Sequence, residues 1–414
     1  MKRWIAILLV FAVTIGLSAC SQVDTRDLMQ DISARTVNVQ PDMDAGAEAA
    51  ADFAVRLFQI SMEEKNTLIS PLSVFYALAM TANGADGETL EQMEQVIGMK
   101  MDALNGYMLT YLEQLPESKD YKLSLANSVW LKEDPCFVVE KSFLQTNADY
   151  YGAEIYQATF DENTRKAINH WVEEHTDGLI PEILDRIPDK AVMYLVNALV
   201  FDGKWDREYK EYQIREGKFT TEDGVRQNVD MMHSEEHTYL EDDMVTGFMK
   251  YYKGRQYAFV ALLPNEDVSL SQYVESLTGE QLRNLINRAQ NVPVYASIPK
   301  FETEYSCEMQ EAHQKMAMTN AFDWRLADFS RLGRYNADGM NLFINRVVHK
   351  TFISVSEQGT RAGAATVVEI APGNAAPMEE IKEVVLNRPF LYMIVDCETG
   401  FPIFMGAMRS VNEG

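Results

Sequence analysis

One run in the chain has the spacing of a metal enzyme. His233-Ser234-Glu235-Glu236-His237 fits the pattern H-x-x-E-H, and a zinc peptidase built on His233, Glu236 and His237 would need both histidines on one helix face. Here the motif follows Val229-Asp230-Met231-Met232, which reads as a strand end, and its polar composition predicts a turn. Zinc-peptidase activity is therefore the remote alternative. His170 and His175, five residues apart, read as a pair on a helix surface. The mature chain has no G-x-S-x-G, Walker A or G-x-G-x-x-G run. Hydrolase, nucleotide and dinucleotide functions lack support, and no metal and no cofactor are expected.

A second stretch points to a mechanical event instead of bond chemistry. From Glu357 to Thr366 the chain reads Glu-Gln-Gly-Thr-Arg-Ala-Gly-Ala-Ala-Thr. Successive side chains of a strand point to opposite faces. Thr360, Ala362, Ala364, Thr366 and Val368 share one phase, all small or apolar and uncharged. Arg361, Gly363, Ala365, Val367 and Glu369 share the other. Such a strand could slide between two neighbours in a sheet, burying its small face and leaving its charges in water. A run of small residues is also what a flexible surface loop contains, so the elements around it must decide.

Helical spacing of Ala50, Phe53, Ala54, Leu57, Phe58 and Ile60 predicts a helix over 47–62. Ser70 is a good N-cap and Pro71 suits the first helical position; the helix Val74–Ala82 behind them is apolar nearly all round and should be buried. Thr89 with Gln92 suggests a capping box for a further helix closing near Gly98. Ile168, Trp171, Val172 and His175 mark a helix over 164–176, stopped by Gly178. Strands are expected at Leu123–Leu131, Tyr194–Phe201, Tyr257–Leu263, Val294–Ile298, Phe352–Val355, Leu391–Val395 and Ile403–Met405. Tyr194–Phe201 is nearly continuous apolar sequence with one polar interruption, Asn197, and so predicts a central strand. Helices dominate the first third and strands the last half, which gives an α+β class with large sheets.

The amino terminus carries Lys2 and Arg3, an apolar run from Trp4 to Leu17, and then Leu17-Ser18-Ala19-Cys20. A basic region, a short apolar region and small residues at a cleavage point predict a secretory signal over 1–19, not a spanning helix. The ending resembles the lipobox of bacterial lipoproteins. That resemblance implies a lipidated Cys20 and a membrane anchor in the cell envelope, in the outer membrane by the absence of an acidic residue at Ser21 or Gln22, with the domain on either its periplasmic or its surface face. Residues 20–46 are polar and acidic and predict a flexible tether, leaving 47–414 as one domain. Losing Lys2 and Arg3 takes the formal net charge from −25 to −27. That charge argues against nucleic-acid binding. Cys136, Cys307 and Cys397 have no metal spacing, and no disulfide is expected.

Read in order, these landmarks resemble the serpin family across about 340 residues. Asn66-x-x-x-Ser70-Pro71-x-Ser73, Ala77-Leu78-Ala79-Met80 and Gly84-Ala85-x-Gly87-x-Thr89 match its early helices. Ile168-Asn169-x-Trp171-Val172, Thr176-x-Gly178-x-Ile180, Leu195-Val196-Asn197-Ala198 and Gly203-x-Trp205 match its middle. Val229-x-Met231-Met232, Leu263-Pro264, Ile298-Pro299-Lys300-Phe301, Glu357-x-Gly359-Thr360-x-Ala362, Asn387-x-Pro389-Phe390 and Phe404-Met405-Gly406 follow. The resemblance implies three β-sheets, about nine helices and an exposed reactive loop between Glu357 and Asn387. It implies a suicide-substrate inhibitor: a protease attacks the loop, and the cut loop inserts into the main sheet before the acyl-enzyme can hydrolyse. Such a molecule is a monomer whose partners are target proteases. The hinge would be Glu357, Gly359, Thr360, Ala362, Ala364 and Thr366. Ser70, Ser73, Asn197 and His349 occupy the family's shutter positions, the other three supplying partners to the Asn197 amide, and Trp205 its breach position.

Two features depart from the family pattern. Arg361 stands where many inhibitory members have an acidic residue, in the outward phase. The loop is also about five residues long in excess: seventeen residues from Glu357 reach Gly373, followed by Asn374, whereas counting back from Asn387 lands near Met378. The hinge-side count sets the inserted length, so Gly373–Asn374 is the expected reactive bond, with Ile370, Ala371 and Ala375 as neighbouring candidates. No Arg or Lys lies between Gly363 and Met378. Small and aliphatic residues there suit elastase-like serine proteases first and papain-like cysteine proteases second. The alternative is a serpin that no longer inhibits and serves as a surface binding protein.

Overall fold

The apolar run around Asn197 forms a strand buried on both faces because its two phases meet two separate cores. Leu195, Leu199 and Phe201 pack into the larger core; Tyr194, Val196, Ala198 and Val200 pack beneath Trp171 and Val172 of the helix Glu162–His175 in a smaller one. Burial on both sides is what makes such a strand read as continuous apolar sequence. The structure, a computed structural model, describes residues 25–115, 118–188, 190–336, 341–360 and 381–412. Cys20 and the loop positions Ala362, Ala364, Thr366, Ile370, Ala371, Gly373, Asn374 and Ala375 lie outside the described residues.

Seven strands make the main sheet: β1 (Thr25–Asp27), β2 (Tyr121–Lys132), β3 (Glu154–Ala158), β4 (Met193–Lys204), β5 (Phe301–Glu308), β6 (Arg346–Val355) and β7 (Gly359–Thr360). Their spatial order is β1-β3-β2-β4-β7-β6-β5. Strands β4 and β6 pair directly and in parallel from Tyr194–Arg346 to Val200–Phe352. Above that seam they part, and the two residues of β7 sit between them, antiparallel to both. A six-stranded sheet runs Thr67–Ile69, Pro402–Met408, Phe390–Asp396, Tyr257–Pro264, Val245–Tyr251, Tyr239–Glu241. A four-stranded sheet runs Lys382–Val385, Val294–Pro299, Arg226–Glu236, Ile214–Thr220, and Phe137–Val139 pairs with Gly333–Tyr335. Nine α-helices complete the described residues. This is the α+β architecture expected, with a two-stranded ribbon added to the three sheets.

Local chemistry explains the helix ends. Ser70 Oγ accepts from the Ser73 N–H at 3.1 Å and Pro71 opens the helix Pro71–Ala82, every residue of which is buried. The next helix, Gly87–Ile97, is capped by Asp86, whose carboxylate accepts from the Gly87 N–H, not by the expected Thr89–Gln92 box. Thr89 and Gln92 are committed to tertiary partners: the Thr89 hydroxyl accepts from the Asp328 N–H, and the Gln92 carbonyl from the N–H groups of Thr319 and Asn320. Gly98 ends that helix at φ 85°, a left-handed conformation suited to glycine.

The amino-terminal segment is docked, not a free tether, from Thr25 onward. β1 pairs with β3, Thr25 opposite Ala158, and the Leu28 N–H donates to the Ile155 carbonyl. Leu28, Met29 and Ile32 pack on the core. The Arg35 guanidinium meets the buried Asp149 carboxylate through two side-chain contacts of 2.9 and 2.5 Å. Asp42 then caps a helix that starts at Met43, so the folded domain begins well before residue 47. Three apolar residues dispersed among polar ones carry no strand periodicity, and only the exposed edge of β3 gives them a place. Deleting residues up to Ile32 should bare that edge and lower Tm by roughly 2–6 °C, read by calorimetry; an unchanged Tm would mean the segment is bound without contributing.

Candidate functional site

Where β4 and β6 part, the chain leaves β6, turns at Ser356–Gln358 and re-enters the sheet as β7. The Ser356 N–H donates to the Gly359 carbonyl at 2.9 Å. Gly359 lies so close to β4 that an added Cβ would stand 2.0 Å from the Gly203 carbonyl oxygen, so the seat admits only glycine. Thr360 follows, fully buried, opposite Gly203 on one side and Val355 on the other. Its hydroxyl meets the Tyr252 hydroxyl at 2.5 Å. Of the six hinge positions, Glu357, Gly359 and Thr360 fall within the described residues.

Trp205 holds the turn. Its backbone N–H donates to the Gln358 carbonyl at 3.0 Å and its indole N–H to the Ser356 carbonyl at 2.8 Å. The neighbouring Tyr209 N–H donates to the Glu357 carbonyl. The Trp205 ring is fully buried and stacks on Tyr252, centroids 4.5 Å apart and planes at 16°. It is thus both a packing residue and a clamp on the turn Ser356–Gln358. The Glu357 carboxylate reaches Lys300 at 2.8 Å, which holds its pKa below the ordinary carboxylate value.

Beneath the clamp lies a buried ion pair. Lys250 Nζ contacts Glu236 Oε1 at 2.7 Å and lies 4.3 Å from the centre of the Tyr209 ring and 5.4 Å from that of Trp205. Burial pushes the Lys250 pKa down, and Glu236 opposes that shift. This placement corrects the turn expected for His233–His237: residues through Glu236 belong to the strand Arg226–Glu236. Residues three apart on a strand face opposite ways, so His233 and Glu236 cannot converge on one ion. His233 Nδ1 instead contacts the hydroxyls of Tyr295 and Ser297, each at 3.0 Å, and no group of His, Cys, Asp or Glu suited to a metal occurs among the described residues. His170 is exposed, near Glu173 and Glu174 on its helix.

Halfway down the sheet a polar row crosses three adjacent strands: Asn127 on β2, Asn197 on β4 and His349 on β6, each directly opposite the next. His349 Nε2 accepts from the Ser70 backbone N–H at 3.0 Å, so its proton sits on Nδ1 and is donated to Asn197 Oδ1 at 2.6 Å. Protonating this ring would set two N–H groups against each other at Ser70; burial and the nearby His313 hold its pKa down to about 3. His349 is the one expected partner that reaches Asn197. Ser70 acts through its backbone N–H on His349, and the Ser73 hydroxyl donates to Asn127 Oδ1 at 3.0 Å. The Nδ2 atoms of both asparagines are buried without a hydrogen-bond partner.

Sequence reasoning missed Asn127, Tyr252, Lys250 and His313. Asn127 had a usable signal, since it interrupts the inward phase Leu123, Leu125, Val129, Leu131 as Asn197 interrupts its own. The other three depend on contacts between distant segments. His313 is fully buried, and burial lowers its pKa to about 4 against the weaker opposing pull of the Met309 carbonyl. The unfolded chain protonates both histidines near the ordinary 6.5, the folded chain only near 4 and 3. Stability should therefore fall as pH drops from about 6.5 toward 4. His313→Leu, which removes a buried imidazole with poorly satisfied nitrogens, should stabilise the fold by about 1 kcal/mol. It should also flatten that fall in thermal melts taken from pH 7 to pH 4; an unaltered slope would clear His313 of the effect.

Comparison with known proteins bears on the whole of this arrangement. Residues 48–411 match the family described as Serpin (serine protease inhibitor). An uncharacterized serpin-like protein of Thermococcus kodakarensis is 30% identical over 367 residues, covering 86% of this chain and 83% of that protein. The crystal structure of the thermophilic serpin tengpin in its native state superposes with a TM-score of 0.89 at 44% identity, over 94% of this chain and 100% of that one. The same serpin in its latent state gives 0.79 at 42% identity, over 91% and 100%. A chain with these landmarks, this hinge and these likenesses belongs to the serpin family.

Proposed function

We propose that this chain is a suicide-substrate inhibitor of proteases, trapping the acyl-enzyme by drawing the cut loop into the main sheet. The observation that carries the reading is β7: two residues of the loop already lie between β4 and β6, in register with both. Continued at that register, an inserting strand would displace the parallel pairs below and bring Thr366 opposite Asn197 and His349 together. Its hydroxyl would then meet a row with two unpaired amide donors and a hydrogen bond that must be given up. Thr360, Ala362, Ala364, Thr366 and Val368 would face the large core, as Thr360 does now. Small side chains suit that face, because insertion has to outrun hydrolysis of the acyl bond. The free energy would come from a native state left short of its best pairing; loop insertion by serpins is a standard instance of such stored strain.

The loop's composition supports elastase-like serine proteases as targets, with papain-like cysteine proteases second, and Gly373–Asn374 as the bond attacked. Lipidation at Cys20 would place the inhibitor in the cell envelope, in the outer membrane, where it would shield surface proteins from foreign proteases. Incubation with elastase-like, trypsin-like and papain-like enzymes should give an SDS-stable complex with the first, and the mass of the released fragment should identify the bond. Cleavage without trapping by every enzyme would favour the surface-binding alternative. Cleaved protein should also melt well above the intact form; equal melting points would mean the strand does not insert. For the anchor, Cys20→Ser should move the protein from the membrane fraction to the soluble one.

A further inference from the structure

We propose that Tyr252 is a positioning residue for insertion, a catch that fixes Thr360 in the single register from which the rest of the loop threads correctly. The proposal rests on the inhibitor reading and adds a residue to it. The need for a catch follows from the loop's composition. A strand of alanine, threonine and glycine has little side-chain volume to specify its pairing, and such strands slip. A slip of one residue would turn Arg361 and Glu369 toward the large core. A slip of two would keep the faces but move every residue along the sheet; the glycine-only seat at Gly359 resists it where the loop enters, but the backbone ladder beyond, repeating every two residues, does not. A hydroxyl at one fixed height does.

Tyr252 has the rigidity for that task. Its ring is fully buried, stacked on Trp205 and edge-on to Phe201 at 4.7 Å. Its backbone N–H is tied to the Tyr257 carbonyl, and Tyr252 bridges to Trp205. The absent side chain of Gly203 leaves the room that Phe201 and Tyr252 fill, since a Cβ there would lie 2.5 Å from the Phe201 ring and 3.0 Å from that of Tyr252. The hydroxyl thus projects from a fixed wall, and its partner is the Thr360 hydroxyl at 2.5 Å. Arg361 offers no hydroxyl, and neither Ala362 nor Ala364 does; the next threonine in the same phase is Thr366. A loop seated one or two residues off would leave the Tyr252 hydroxyl buried without a partner, which disfavours the wrong seat.

Three variants test this in the full-length protein. Tyr252→Phe keeps the ring and its stacking, Thr360→Val keeps the shape, and Thr360→Ser keeps the hydroxyl. With a protease that the wild type traps, Tyr252→Phe and Thr360→Val should each raise the stoichiometry of inhibition about two- to five-fold while leaving the rate of initial association unchanged. The double variant should be no worse than either, and Thr360→Ser should behave as wild type. Cleaved Tyr252→Phe should also gain less in Tm over its intact form than cleaved wild type does. Wild-type stoichiometry and a full Tm gain in Tyr252→Phe would overturn the catch while leaving inhibition standing. Equal impairment of Thr360→Ser and Thr360→Val would likewise overturn it, since the hydroxyl would then be immaterial. If cleaved wild type gains no thermal stability and traps no protease, the inhibitor reading has failed and the catch falls with it.

Discussion

The seam between β4 and β6 is the constraint on which the rest depends. Seven directly opposed residue pairs, Tyr194–Arg346 through Val200–Phe352, close the main sheet. Parallel pairing is slightly less stable per residue than antiparallel, and at the head of this seam a strand antiparallel to both sides, β7, already stands between the two. Under the proposed insertion, the groups around it would hold it shut or aim what opens it. The polar row crosses it at its middle, Trp205 grips the turn at its top, and Ser70, the N-cap of the helix Pro71–Ala82, supplies the N–H that fixes the His349 tautomer. The larger core runs beneath the whole length and the smaller one covers its outer face.

Much of this was legible in the residues. The strand around Asn197 announces itself by apolar continuity, and the helix after Ser70 by its cap and its lack of a polar face. The expected hinge is marked by two-residue alternation of small side chains, and Thr360, the described member of the small phase, is buried as that phase requires. Local rules suffice at such places because local chemistry and tertiary packing agree. They fail where a distant segment outbids a neighbour. Thr89 and Gln92 have the right types for a capping box, but Asp328, Thr319 and Asn320 take their hydrogen bonds. The run His233–His237 looks like a polar turn because its strand is amphipathic and its buried carboxylate is neutralised by Lys250, fourteen residues away.

The docked amino terminus illustrates the same limit. Its composition is that of a solvated linker, and nothing in Thr25–Asp42 alone would fold. The exposed edge of β3, the buried Asp149 and an apolar shelf give it order. Residue types set what a segment can do; the surface it meets decides what it does.

That docking has a spatial consequence. Thr25 lies opposite Ala158, and Ala158 lies opposite Lys132, at the end of the sheet remote from Gly203 and the hinge. About ten residues of β4 separate the two ends, some 33 Å at strand rise. A lipid on Cys20 would be joined to this lower pole by so few residues that the pole could stand no more than about 18 Å from the bilayer. The molecule would be held by its foot, with the turn Ser356–Gln358 at the end of the sheet farthest from the bilayer.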